Sequence, residues 1–366
     1  METSAPLASF TVIPNRRAVA DEDRAALMEA PVFGKVFTDH MARVSWRDGE
    51  GWRDRRIVPL APLALHPGAA VLHYAQQVFE GLKAYRHEDG SVWLFRPEAN
   101  AARMADSARR MALPELDEGD FIAALESLVT ADQAWVPEEP GASLYLRPVM
   151  IATEASLLVQ PANEVEFLVT ASPVGAYMSG GDAGVSIWVS RSYHRAIAGG
   201  TGEAKTAGNY AASMAPQAEA KAHGCQQVLF LDAKKNKFIE ELGGMNVVVV
   251  RADGSVVTPR LTGTILPGVT RDSILTLLRD SGRSVQERDI PLAEILAGVE
   301  SGEIVEVFAC GTAAVVTPIA RLVSDDFDLA VQGPEGESVA AEMLAGLTDI
   351  QYGRAEDPHG WMHRVV

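Results

Sequence analysis

An α+β fold in two domains is what this sequence predicts, and three observations carry the prediction. The chain has 366 residues, more than the roughly 250–300 at which a single hydrophobic core stops growing. Apolar residues make up 47% and charged residues 22%, enough of each to fill cores and cover a surface. Strand-like and helix-like segments follow one another without a regular βα rhythm, which indicates neither a doubly wound parallel sheet nor an eight-fold barrel.

Residues 1–32 are polar, with isolated prolines and no periodicity, and read as a loose N-terminal arm. Residues 33–173 read as a small α+β domain. VSWRDGEGWRDRRIVPL gives two strands around an Asp48-Gly49 turn, and LKAYRHEDGSVWLF gives a second hairpin around Asp89-Gly90. PEANAARMADSARRM and GDFIAALESLVTADQAWV carry apolar residues at helical spacing, and SLYLRPVMIAT and VEFLVTASPV read as strands. Residues 174–184, within SPVGAYMSGGDAG, are rich in Gly and Ser and read as an interdomain linker. Residues 185–366 read as the large domain. Its segments are a strand VSIWVS, a glycine-containing loop, a helix through about Lys221, and the strands QQVLFLD, FIEEL and NVVVV. Helices near TRDSILTLLRD and PLAEILAGVE, a strand pair in EVFACGTAAVVTP and a closing helix in EGESVAAEMLAGL follow.

Charge narrows the function classes. A net charge of −17 argues against nucleic acid and anionic membrane as partners, which need a basic face. It leaves open a small anionic ligand, which needs only a local positive field. No basic stretch followed by an apolar core opens the chain, and no apolar run approaches bilayer length, so a cytoplasmic location is expected. Cys225 and Cys310 have no metal-ligand spacing and read as buried thiols. No metal is expected.

Five stretches can carry chemistry. In GGTGEAKTAGNY, Lys205 sits among Gly199, Gly200, Gly202 and Gly208. A solvated loop lysine is the plain reading. A phosphate loop is a second, but Ala204 replaces the glycine before the lysine, Glu203 adds negative charge, and Gly208 stands where a helix should be running. The third treats the small residues as clearance for a flat ring, with Lys205 as the amine of a Schiff base, made nucleophilic by desolvation. In FIEELGGMNVVVV, Glu240 and Glu241 precede two glycines and a β-branched strand. One of them could hold a proton on a pyridine nitrogen, with an attraction of roughly 5 kcal/mol before desolvation. In LPGVTRDSIL, a helix opening at Gly268-Val269-Thr270 offers an anion site, and in FACGTAAVVTP a turn at Gly311-Thr312 offers amides and a hydroxyl. Finally, Arg147 lies inside the apolar pattern SLYLRP, where it needs a carboxylate or phosphate partner, whereas Tyr74, Phe79 and Tyr145 can be core aromatics.

FGKVFTDHM, LHYAQQVFEGLKAY, LFRPEANAARM, SLYLRP, GGTGEAKTAGNYAA, GCQQVLFLD, EELGGMN, ILPGVTR, GTAAVV and IQYG occur in the order seen in branched-chain amino-acid aminotransferases, and from about Phe33 to the end the chain resembles that family. The resemblance implies a fold type IV, D-amino-acid-aminotransferase-like enzyme that binds pyridoxal 5′-phosphate in its large domain. It also implies ping-pong exchange of the amino group between leucine, isoleucine or valine and 2-oxoglutarate. It assigns Lys205 to the Schiff base, Tyr210 to the cofactor's phenolic oxygen, and Glu241 to the pyridine nitrogen. Arg103, Val269, Thr270 and Thr312 match the phosphate site, and Arg195 matches an arginine near the cofactor. Phe33, Phe79, Tyr145, Arg147, Tyr177 and Gly244 match the substrate pocket, and the Thr312-Ala313 turn the site of the substrate carboxylate. Tyr74, Leu157 and Val159 match residues lent to a neighbouring subunit, which implies a homodimer. Two departures stand out. The C-x-x-C redox pair of vertebrate members is replaced by Ala314 and Thr317, and Gly244 stands where some members have threonine.

Within the same fold the rivals are a D-amino-acid aminotransferase and an aminodeoxychorismate lyase. Outside it they are a phosphate-loop nucleotidase, which would lack the yellow colour of a lysine-bound cofactor, and a non-catalytic binding protein.

Overall fold

The computed structural model describes residues 9–175, 184–334 and 336–366. Contacts divide them into two compact units. One holds residues up to 175 together with Ala204–Ala207 and Ile350–Val366, and the other holds 184–203 and 208–349.

The first unit is built on one mixed sheet. Its strands in chain order are β1 (Thr11–Val12), β2 (His40–Arg47), β3 (Gly51–Pro59), β4 (Gln77–Phe79), β5 (Leu82–Arg86), β6 (Val92–Phe95), β7 (Ser143–Ala152) and β8 (Glu164–Val174), with the C-terminal strand Met362–Arg364. The sheet runs β1-β3-β2-β8-β7-β5-β6 and ends on that C-terminal strand, while β4 pairs with β7. Both hairpins expected from Asp48-Gly49 and Asp89-Gly90 are present, with Gly49 and Gly90 at positive φ where the turns require it. The helices are α1 (Asp21–Met28), α2 (Ala70–Tyr74), α3 (Pro97–Arg110) and α4 (Glu118–Ala131). Phe121, Leu125, Leu128 and Val129 of α4 join Val44, Phe167 and Val169 of the sheet in one core. Helix α3 opens with Pro97 at its first position, and its buried face carries Asn100, Arg103 and Ser107 at helical spacing.

The second unit is also built on one mixed sheet. Its strands are β9 (Val185–Val189), β10 (Gln227–Leu231), β11 (Ile239–Leu242), β12 (Asn246–Arg251), β13 (Val256–Pro259), β14 (Val285–Arg288), β15 (Ile304–Gly311), β16 (Val315–Ser324) and β17 (Phe327–Ala330). The order is β11-β10-β9-β16-β15-β12-β13-β14, with β17 beside β16. The first half of β16 pairs antiparallel with β15 and the second half parallel with β9, so one long strand joins two pairing systems. Helices α7 (Val269–Asp280) and α8 (Leu292–Ser301) follow as expected. Leu292, Ile295 and Val299 of α8 pack with Val247, Val249, Val307 and Ala309. The single helix expected through Lys221 is two, α5 (Ala207–Ala212) and α6 (Met214–Ala222). Between them the Ser213 hydroxyl donates to the Tyr210 carbonyl, a local bond that competes with helix continuation. The closing helix α9 is Val339–Gln351, and the C-terminal strand becomes β18. No described helix is long and apolar enough to cross a membrane.

Three boundaries differ from the sequence reading. Residues 9–32 are not a loose arm. β1 pairs in parallel with β3, α1 is helical, and Asp39 accepts the Val19 N–H at 2.8 Å. A two-residue strand leaves no periodicity to read. Residues 350–366 belong with the first unit rather than with 185–366, because β18 pairs antiparallel with β6. Residues 204–207 also belong there. The linker expected at 174–184 falls almost wholly outside the described residues.

His363 of β18 is a clamp for this C-terminal tail. Its ring nitrogens lie 2.8 Å from Glu126 and 3.1 Å from Glu98, and these carboxylates raise its pKa from 6.5 to about 9. A raised pKa in the folded state contributes stability that is complete below 6.5 and lost as pH rises through about 9. After solvent screening it is worth on the order of 1 kcal/mol. Melting between pH 6 and 10 should therefore show a decline on the alkaline side that His363→Gln flattens.

Candidate active site

Lys205 is fixed through its backbone. Its N–H donates to Ser107 Oγ of α3 at 2.9 Å, and its carbonyl accepts the Phe79 N–H at 3.0 Å. The Thr206 hydroxyl donates to the Gln77 carbonyl at 2.7 Å, and Val78 and Thr206 form a bridge. The loop is thus strapped onto β4, and Lys205 Nζ lies 5.0 Å from the centre of the Phe79 ring.

The same ring takes a second cation. The Arg147 guanidinium lies 4.9 Å from the centre of Phe79 and 5.2 Å from that of Tyr145, and it donates to the Tyr145 hydroxyl at 2.8 Å. Phe33 packs edge-on against Tyr145 at 4.9 Å. The carboxylate expected beside Arg147 is not found among the described residues. Two aromatic faces and one hydroxyl hold it instead. Gly81 makes room for this arrangement, since a Cβ there would stand 2.0 Å from Tyr145 Oη. Lys83, opposite Tyr145 in the strand pairing, is buried, and burial pulls its amine down to about 8. Sequence reasoning passed over both residues, although a charge in the apolar pattern LKAY is the signal that singled out Arg147.

Arg103 is buried on α3. Its Nε and one terminal nitrogen donate to the two oxygens of Glu80 at 2.8 and 2.7 Å. Glu80 is fully buried, a second charge in an apolar pattern that the sequence reading missed. Tyr74 is half-exposed, and its hydroxyl meets the Leu157 carbonyl. Leu72, Leu157, Leu158 and Val159 are exposed around it.

In the second unit the centre is Glu241 on β11. It is 2% exposed, and its Oε1 lies 2.7 Å from Arg195 and accepts the Leu266 N–H at 2.9 Å. Asn246 donates to Oε2 at 3.2 Å. Arg195 in turn donates to the carbonyls of Gly202 and Thr264. A buried carboxylate survives only when its lone pairs and its charge are met, and here they are. Glu240 precedes Glu241 on β11, where the pairing with β10 shifts register. The Thr264 hydroxyl donates to Glu240, and burial pushes its pKa up.

Val269 and Thr270 open α7, whose N-cap Gly268 supplies no side-chain bond, so the dipole's positive end carries no side-chain cap. A Cβ on Gly268 would meet Asn246 Oδ1 at 2.1 Å. Thr312 and Ala313 lie in the tight β15–β16 turn, closed by the Gly311–Val315 pair. Val315 there has φ 59°, a left-handed conformation that is costly for a β-branched residue and that marks functional turns. A Cβ on Gly244 would stand 3.9 Å from the Tyr210 ring, an ordinary van der Waals contact.

The clearance at Gly202 serves the protein itself, because a Cβ would stand 2.6 Å from Thr264 and Ala196. Gly208 does lie in a helix, α5, which removes one of the three objections to a phosphate loop. Tyr177 lies outside the described residues. Cys225 and Cys310 are free and buried, and burial pushes the Cys310 thiol up to about 12.

The class IV amino-transferase family matches residues 77–322. The chain belongs to the class IV aminotransferases. A probable branched-chain-amino-acid aminotransferase of Streptomyces coelicolor is 52% identical over 354 residues, 96% of this chain and 98% of the relative. The branched-chain-amino-acid aminotransferase of Mycobacterium tuberculosis is 49% identical over 360 residues, 97% and 98% of the two chains. Among solved structures, the branched-chain aminotransferase of the archaeon Thermoproteus uzoniensis with norvaline gives a TM-score of 0.73 at 26% identity, covering 89% of this chain and 100% of that one. These likenesses set the nucleotidase reading aside for this aminotransferase.

Gly81→Ala should destabilise the aminotransferase by about 1–3 kcal/mol, since the added methyl group displaces the Tyr145 hydroxyl and with it the bond from Arg147. Denaturant unfolding reads the loss.

Proposed function

We infer that the chain is a pyridoxal-phosphate-dependent branched-chain amino-acid aminotransferase, exchanging the amino group of leucine, isoleucine or valine with 2-oxoglutarate. The observation that carries the substrate reading is Arg147: a guanidinium among aromatic faces, with no carboxylate partner among the described residues. An apolar side chain can lie on Phe33 and Phe79, and a γ-carboxylate can be met by Arg147 and Tyr145. A purely apolar pocket would reject that charge.

The residues present fit the cofactor. A carboxylate paired with Arg195 suits a protonated pyridine nitrogen, and an uncapped helix start suits a phosphate. When bound, pyridoxal phosphate supplies the electron sink for the pair left at the substrate's α-carbon. Lys205 Nζ would hold the cofactor covalently and, once the substrate amine has taken its place, the freed amine would take the α-proton and return it as base and acid. Glu241 keeps the ring nitrogen protonated, with Arg195, Asn246 and the Leu266 amide fixing the carboxylate. Val269, Thr270, Thr312 and Arg103 are assigned to the phosphate, Arg103 doing so while paired with Glu80. Tyr210 is assigned to the phenolic oxygen and Ala313 to the substrate carboxylate, and Gly244 and Tyr177 to the pocket wall.

We also propose a homodimer. Exposed Leu72, Tyr74, Leu157, Leu158 and Val159 form an apolar surface that a second copy of the chain would cover, and Tyr74, Leu157 and Val159 would be lent to the partner's site. The buried free thiols agree with a cytoplasmic location.

Borohydride reduction of the holoenzyme followed by peptide mapping should place the pyridoxyl group on Lys205. Recovery on Lys221 or Lys234 would overturn the assignment. Arg147→Met should raise KM for glutamate and 2-oxoglutarate by about tenfold or more while changing that for leucine little. Equal damage to both half-reactions would make Arg147 structural.

A further inference from the structure

A cavity of about 580 Å³ lies in the second unit, lined by Ile239 and Glu240 of β11 but not by Glu241. Its walls are apolar at Phe238, Ile239 and Ile265, Glu240 reaches into it, and Lys234 and Lys235 stand at its edge. None of the residues assigned above to cofactor or substrate lines it.

The charges around the cavity differ in how they are met. Arg260 is paired with Asp289 at 2.6 Å, and Asp232 accepts the backbone N–H groups of Lys235, Lys237 and Phe238. Glu240 is different. It is 7% exposed, and its Oε1 takes the Thr264 hydroxyl. Its Oε2 is buried and accepts no hydrogen bond among the described residues. A buried carboxylate oxygen with no donor forfeits hydration without recovering it, and a cation placed against it recovers most of that loss. Lys234 and Lys235, exposed at the cavity, bring cations to it, while Glu240 brings a carboxylate oxygen without a hydrogen bond among the described residues.

We propose that this cavity is a second ligand site for a small zwitterion with an apolar body, its ammonium group on Glu240 Oε2, its body on Phe238, Ile239 and Ile265, and its carboxylate toward Lys234 and Lys235. An apolar amino acid has this chemistry. Thr264 joins the site to the cofactor-binding residues, since its hydroxyl meets Glu240 while its carbonyl accepts from Arg195, the partner of Glu241.

N,N-dimethyl-L-leucine tests the site, because its tertiary amine cannot form an imine with the cofactor. Titration calorimetry on the holoenzyme should show binding that Glu240→Gln weakens by about tenfold or more, with transamination in the absence of the probe retained. Ala198→Trp, at the edge of the cavity, should weaken it as well by filling space. No binding, or binding that both variants leave unchanged, would overturn the proposal. Loss of transamination in Glu240→Gln without the probe would overturn it in a distinguishable way, by making Glu240 the ring-nitrogen carboxylate in place of Glu241.

Discussion

The buried pair of Arg195 and Glu241 is the interaction around which the polar interior of the second unit is organised. Two charges taken out of water are costly, and removing either one strands the other. The fold meets that cost with several neighbours at once. Leu266 and Asn246 complete the carboxylate, and the carbonyls of Gly202 and Thr264 complete the guanidinium. The Thr264 carbonyl can take that bond because the loop carrying it packs directly against Gly202, where no side chain larger than hydrogen fits. A single carboxylate position thus constrains β11, the start of β12, the segment before α7 and the glycine loop.

The first unit shows the same logic with a different solution. Arg103 is met by Glu80, charge for charge and fully buried, whereas Arg147 is met by ring faces and a hydroxyl. The first pair is closed and fixes α3 against the β4–β5 connection, and with α3 it fixes Ser107, which holds the Lys205 backbone. The second arginine sits in an aromatic setting that keeps the guanidinium flat and oriented without neutralising it. Arg103 thus already meets one carboxylate of the fold, whereas the charge of Arg147 meets none among the described residues.

Legibility in the sequence followed the range of the physical cause. The hairpins at Asp48-Gly49 and Asp89-Gly90, helices α3, α4, α7 and α8, and the run of β-branched residues in β12 come from local turn chemistry and periodicity, and the structure carries all of them. Arg147 stood out because a charge in an apolar strand pattern is anomalous, and Glu80 and Lys83 carried the same signal unread. The arm, the tail and the break at Ser213 were not legible. Two- and three-residue strands have no period, and a serine's bond to a carbonyl three residues back leaves no trace in composition.

The sequence by itself determined the family, through an ordered set of short motifs, and singled out the residues proposed for the site, because those depend on which residues occur and in what order. Tertiary structure decided what holds each of them. The partner of Glu241, the partner of Arg103, the aromatic seat of Arg147 and the tail's place beside β6 all join positions far apart in the chain. Pairing energy between distant buried charges and strand edges depends on where folding brings them, and no local pattern records it.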